Sequence, residues 1–183
     1  DATKSFKYET KTLLDKNSDD NGQLPCPLQF GKISDAPGIL SADFTVRVFE
    51  PGGDASIRQF TRKYSPFNKY AGIFVARANE NTGYIKVDEN SPVKLVSVNA
   101  MGKATADQLQ LMIYKMEWRW WWESSDQNIG SFVSRNNANL VVNKTIDVTS
   151  APVTLSNIFK GQKWGRYLLV VQSSSGHTSS QTV

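Results

Sequence analysis

The stretch that decides the fold is Gln108-Leu109-Gln110-Leu111-Met112-Ile113-Tyr114-Lys115-Met116-Glu117-Trp118-Arg119-Trp120-Trp121-Trp122-Glu123. Counting by twos places Met112, Tyr114, Met116, Trp118, Trp120 and Trp122 on one continuous apolar face. The other face runs Leu111, Ile113, Lys115, Glu117, Arg119, Trp121 and Glu123, apolar at first and then charged. A period of two over so many residues is the signature of a strand, not a helix. The pattern predicts burial on both faces in the first half and on one face in the second. About sixteen residues at roughly 3.3 Å each would reach on the order of 50 Å, some three times a typical strand, so this strand should overhang its sheet or bend at a bulge. Four of the five tryptophans fall between positions 118 and 122. Each indole carries a large apolar area and one N–H that needs a partner when buried, so the cluster suits either a core wedge or a binding platform.

Working outward, the rest of the chain also reads as strands. Leu40 to Glu50 alternates, Pro51-Gly52-Gly53-Asp54 is a turn signal in which Asp54 caps the turn, and Ser56 to Tyr64 returns as the second arm of a hairpin. Ala71 to Ala76, Tyr84 to Val87, Val93 to Asn99, Leu140 to Val148, Val153 to Leu155, Gly165 to Gln172 and Thr178 to Val183 complete the strand reading. Phe6 to Thr10 alternates briefly, Gln23 to Gly38 is broken by prolines and glycines, and Ser124 to Asn139 is a long polar connection. No apolar period of three to four residues persists for ten positions, which predicts an all-β protein built of antiparallel sandwiches. Pro66 interrupts the alternation between Tyr64 and Ala71 and marks a domain junction. We therefore expect two consecutive Ig-like β domains, a short first one over residues 1–67 and a seven-stranded sandwich over residues 68–183.

Composition narrows the function classes. Hydrophobic residues make up 39% and charged residues 21% of 183 positions, the balance of a globular protein. No apolar run approaches the roughly 18 to 20 residues of a membrane span, so no membrane contact is expected of this segment. The net charge of +4 is too small and too dispersed for a nucleic-acid surface. Cys26, the one cysteine, lies between two prolines with no base nearby and reads as a half-buried, unreactive thiol. His177, the one histidine, lies in a Ser- and Gly-rich turn. A Ser/His triad would have to use that one ring, which the turn leads us to expect exposed, and His-based metal sites have little to build on. No phosphate loop, zinc spacing or nucleophile elbow is found, so neither enzyme activity nor a cofactor or metal is expected. Asn143-Lys144-Thr145 fits the glycosylation acceptor pattern, which matters only in a glycosylating host. The chain opens at Asp1 and ends at Val183 within a strand, the look of a piece from a longer polypeptide.

Four segments together resemble the bacterial alpha-2-macroglobulin family, where macroglobulin-type sandwiches follow one another. They are Val46 to Ile57 with its Gly-Gly-Asp turn, Ser65-Pro66-Phe67-Asn68-Lys69-Tyr70-Ala71-Gly72-Ile73 at a domain crossing, the Leu111 to Trp122 strand, and Lys163-Trp164-Gly165-Arg166-Tyr167-Leu168-Leu169-Val170-Val171. They appear in family order and cover about residues 40 to 183, while residues 1–39 match only loosely. The resemblance implies a large exported protein that traps or blocks proteases, often through a thioester in a Cys-x-Glu-Gln motif. That motif is absent here, since Cys26 is followed by Pro27, Leu28 and Gln29. The resemblance therefore implies a scaffold role without catalytic residues, in an extracytoplasmic setting at the periplasm or cell surface, with a lipoprotein among the forms the parent can take. Its partners would be other domains of the parent chain and, through the parent, target proteases. Trp118, Arg119, Trp120, Trp121, Trp122 and Trp164 are the candidate interdomain or partner contacts. A reading from another class is a carbohydrate-binding module in which the same indoles stack on sugar faces while Glu117 and Arg119 make polar contacts; it rests partly on fold analogy. Alternating aromatics on a strand more often serve as core.

Overall fold

The computed structural model describes residues 10–28, 30–31, 33, 36–76, 85, 92–116 and 139–183. Nine strands form among them: β1 (Leu40–Phe49), β2 (Ala55–Tyr64), β3 (Lys69–Val75), β4 (Val93–Asn99), β5 (Asp107–Met116), β6 (Asn139–Val148), β7 (Val153–Leu155), β8 (Arg166–Gln172) and β9 (Thr178–Thr182). No helix occurs among the described residues, and the protein is all-β as its alternation predicts. Every strand pairing is antiparallel. The strands make a two-stranded ribbon β1-β2, a three-stranded sheet β3-β4-β7 and a four-stranded sheet β6-β5-β8-β9.

The ribbon follows directly from its turn. Gly53, at a φ of 91°, adopts the left-handed conformation that glycine tolerates without steric cost. The turn closes with Gly53 N–H donating to the Glu50 carbonyl and Glu50 N–H donating to the Asp54 carbonyl. Asp54 thus serves the turn through its backbone. Pairing then runs unbroken from Phe49↔Ala55 to Leu40↔Tyr64. Phe44 stacks on Phe60 across the strands, and Phe30 packs on Phe44 and Tyr64.

The two larger sheets face each other. Inward residues of β3, β4, β5 and β8 build the main core, in which Val93, Leu95, Leu109, Leu111, Ile113, Leu169 and Val171 have no exposed surface. Each such side chain stabilises the fold by about 1.5–3 kcal/mol on burial. The reading of the decisive stretch holds for its described half. Leu109, Leu111 and Ile113 enter the main core, while Tyr114 on the opposite face is buried with Leu168 and Val170, flanked by Met112 and Met116. Central position explains this: β5 is hydrogen-bonded on both sides, to β6 and to β8, and carries apolar residues on both faces. Within its described half β5 carries no extra residue of its own; the bulge lies on its partner β6, where the register passes from Ile113↔Val142 to Tyr114↔Leu140 and leaves Val141 without an opposite number.

Several expectations fall outside the described residues: the continuation of β5 through Glu117 to Glu123, the connection from Ser124 to residue 138, the strand at Tyr84 to Val87 apart from Ile85, and the alternation from Phe6 to Glu9. Ile85 itself packs against the main core. Two expectations are corrected. Cys26 is exposed, because the proline-flanked segment around it lies on the surface with exposed neighbours from Asn21 to Leu28. His177 is buried at 9% exposure, because its turn folds back onto β3 instead of projecting into water.

Candidate functional site

The densest set of polar side chains among the described residues lies where one edge of each sheet meets the other, along β3 and the turn between β8 and β9. β3 is an edge strand of its sheet, so alternate backbone groups face away from β4 and lack a ladder partner. Side chains of the other sheet supply those partners. Lys69 N–H donates to Ser175 Oγ at 3.1 Å, and the Lys69 carbonyl accepts from Ser173 Oγ at 3.0 Å and Ser175 Oγ at 2.6 Å. Ala71 N–H donates to His177 Nδ1 at 3.1 Å. Val75 N–H donates to Gln181 Oε1 at 3.0 Å, and the Val75 carbonyl accepts from Gln181 Nε2 at 3.4 Å. Residues 69, 71 and 75 share the parity that an edge strand turns outward, so Ser175, His177 and Gln181 act as a side-chain ladder.

The turn that presents them is itself fixed. Ser173 N–H donates to the His177 carbonyl, Gly176 N–H to the Ser173 carbonyl and His177 N–H to Ser173 Oγ. Gly176 takes a φ of 95°, which a residue with a Cβ adopts only under strain.

Beneath this seam lies Asp107, whose side chain has no exposed surface. Its Oδ1 accepts from Ser174 Oγ at 2.5 Å, Gln108 N–H at 2.9 Å and Lys69 Nζ at 3.2 Å. Its Oδ2 accepts from Ser97 Oγ at 3.1 Å. Burial opposes ionisation of this carboxyl, yet the hydrogen bonds from Ser174, Gln108 N–H, Lys69 and Ser97 outweigh it and hold the pKa below the ordinary carboxylate value. Asp107 is therefore an ionised acceptor that ties β5, β4, β3 and the β8–β9 turn together.

Ser173, Ser174, His177 and Asp107 are the residue types of a Ser-His-Asp hydrolase, and their geometry assigns them otherwise. A triad needs one ring nitrogen on the serine hydroxyl and the other on the carboxylate. Here Nδ1 accepts from Ala71 N–H, and the ring also bonds the backbone of Pro37, which has no N–H and so offers its carbonyl to the ring's other N–H. The contact with Ser173 runs through the histidine backbone. Burial lowers the His177 pKa, partly offset by the Pro37 carbonyl, so the ring stays neutral. Both nitrogens are engaged, and neither is poised as a base.

Other residues singled out by the sequence stand apart from the seam. Trp118, Arg119, Trp120, Trp121 and Trp122 lie outside the described residues. Trp164 is 84% exposed on the loop entering β8. Asn143 lies on the outer face of β6, where it accepts from Gln110 Nε2 at 3.3 Å. A shallow groove of about 270 Å³ runs along Gln108, Gln110, Thr145, Gln172, Ser173 and Ser174, and an open one of about 520 Å³ lies between β6 and the segment after β7. Among the described residues no group of three His, Cys, Asp or Glu side chains gathers to hold a metal. Sequence reasoning missed the seam because its partners across β3 are 104 or 106 residues apart along the chain; the parity of Ser173, Ser175 and His177 was the one available sign.

Comparison with known proteins places the chain. The bacterial macroglobulin domain 6 family matches residues 75–183, more than half of the sequence. Among solved structures, the native conformation of E. coli alpha-2-macroglobulin is similar at 19% identity and a TM-score of 0.43, covering 79% of this chain and 10% of that one. Salmonella alpha-2-macroglobulin reacted with methylamine is similar at 18% identity and a TM-score of 0.35, covering 82% of this chain and 10% of that one. The chain thus spans about a tenth of the length of these two structures. No curated protein matches. With macroglobulin domain 6 occupying residues 75–183, the chain belongs to the bacterial alpha-2-macroglobulin family.

Proposed function

We propose that this chain is a structural segment of a protease-trapping protein of the alpha-2-macroglobulin kind, giving shape and spacing and no chemistry of its own. The match of residues 75–183 to macroglobulin domain 6 carries the reading. Two features support it. The polar seam is spent on closing a sheet edge and not on presenting groups to a substrate, and His177 has both ring nitrogens engaged. In this reading residues 1–67 belong to a preceding macroglobulin-type domain that meets residues 68–183 near Pro66. The immediate partners are other domains of the same parent, target proteases are met through the parent, and the setting is extracytoplasmic. The Trp118 to Trp122 run, with Arg119, then anchors a core or an interdomain contact, and Trp164 offers a further contact for a neighbouring domain.

The test is a protease assay with large and small substrates, which separates enclosure of a protease from blockade of its active site. The 183-residue chain alone should leave cleavage of both unchanged. The parent should protect the large substrate, and Ile113→Lys in the parent, which places a charge in the fully buried core, should abolish that protection. Inhibition by the isolated chain, or full trapping by the Ile113→Lys parent, would count against a scaffold role.

A further inference from the structure

We propose that His177 is an acid-sensitive latch: packed at the root of the β1-β2 ribbon, its neutral ring holds the edge of β3 by accepting from Ala71 N–H, and protonation breaks that bond. The ring touches the chain both where it enters the ribbon and where it leaves. Pro37 lies three residues before β1 and accepts from the ring, while Phe67, three residues after β2, packs edge-on at a centroid distance of 5.5 Å. Tyr70 in β3 packs at 4.8 Å. Ala36, Phe67 and Tyr70 form a small buried cluster with Ile33, Leu40 and Val98, so the ribbon is rooted on this side of the sandwich.

The ring serves only in its neutral form. Nδ1 is an acceptor for Ala71 N–H, which leaves the proton on Nε2 for the Pro37 carbonyl. A second proton on Nδ1 would set donor against donor at Ala71 and put a charge between two aromatic rings. Among the described residues the Pro37 carbonyl favours the charged ring, and this offsets the cost of its burial only in part. The Tyr70 hydroxyl is shared with Ser65 at 2.5 Å. On β3, the Lys69 ammonium is turned to the Ala106 carbonyl and Asp107. The Asp107 carboxylate on β5 accepts from Lys69, Gln108, Ser97 and Ser174. The turn carries serines and Gly176, and the connector offers Ala36 and Pro37. The seam around the latch does not titrate near neutrality: the Ser173, Ser175 and Gln181 contacts to β3 are between uncharged groups. Acid therefore acts on the Ala71 bond at the ribbon root and leaves the rest of the edge closed. The inference holds whether or not the parent traps proteases.

His177 is the only histidine, so its ring gives a single imidazole titration by NMR in the 183-residue chain. The expected result is a midpoint below the ordinary histidine value. Over the same pH range, after correction for intrinsic rates, exchange at the Ala71 amide and in residues 65–70 should rise about tenfold, the loss of one buried hydrogen bond. His177→Gln, which keeps a donor and an acceptor but cannot titrate there, should show no such rise. Equal acid opening in His177→Gln overturns the proposal. So does a wild-type ring that takes up its proton without change at Ala71, a comparison that needs no variant to fold.

Discussion

Replacing Asp107 by alanine should destabilise the sandwich by about 2–4 kcal/mol, and the parts of that figure can be assigned. Ser97 has no exposed surface, and its hydroxyl donates to Asp107 Oδ2; left without that acceptor it costs about 1–3 kcal/mol. Ser174 is exposed and finds water, so its loss is below about 1 kcal/mol. Lys69 is 34% exposed and keeps the Ala106 carbonyl at 2.9 Å, so the ion pair itself also contributes less than about 1 kcal/mol. Urea unfolding of the isolated chain measures the total. Adding Ser97→Ala to Asp107→Ala should restore about 1–2 kcal/mol, because the stranded donor disappears with its hydroxyl. The sign with pH follows from the lowered carboxyl. Above the unfolded-state value near about 4 the contribution is fully present, and it is lost as pH falls toward the lower folded-state value. Asp107→Ala should therefore lack that part of the acid sensitivity. A loss under about 1 kcal/mol, or strict additivity of the two substitutions, would refute the reasoning that this carboxylate ties the seam together.

Three further outcomes are expected. Leu111→Ala, at a fully buried position in the central strand, should cost about 2.7–5 kcal/mol in the same urea experiment. Gly72→Ala should cost about 1–3 kcal/mol, since a Cβ there would meet Val96 Cγ1 at 3.0 Å on the neighbouring strand. Trp164→Ala should leave the melting midpoint of the isolated chain within the scatter of surface substitutions, about 0.5 kcal/mol, because the ring is 84% exposed.

The strands were legible because alternation, turn glycines and β-branched residues all pointed the same way. Val93–Asn99 and Val153–Leu155 occur at the expected bounds, and β1, β2, β5, β6, β8 and β9 start within a residue or two of expectation. The double-sided burial of β5 was visible in Leu109, Leu111 and Ile113 alternating with Met112, Tyr114 and Met116. The family was legible too, through the motifs around Gly53, Pro66 and Trp164 and in the Trp118 to Trp122 run. What escaped was everything set by contacts between distant strands. A Ser-Ser-Ser-Gly-His turn looks solvated on its own, and only the unpaired edge of β3 explains why His177 is drawn inward. Asp107 stands just before the stretch read as a strand with no local sign of its role, which comes from Lys69, Ser97 and Ser174 in three other segments. The place of the bulge at Val141 was equally hidden, since the alternation of β6 gives no sign of which residue is left over.

Indole emission of the isolated chain, read with an aqueous quencher before and after adding a panel of soluble glycans, tests the scaffold reading against the binding-module reading most directly. The account predicts that only a minority of the five tryptophans, Trp164 among them, is readily quenched, and that no glycan changes the emission. Red-shifted, broadly quenchable emission that one sugar protects would make the aromatic run a binding face and contradict the account.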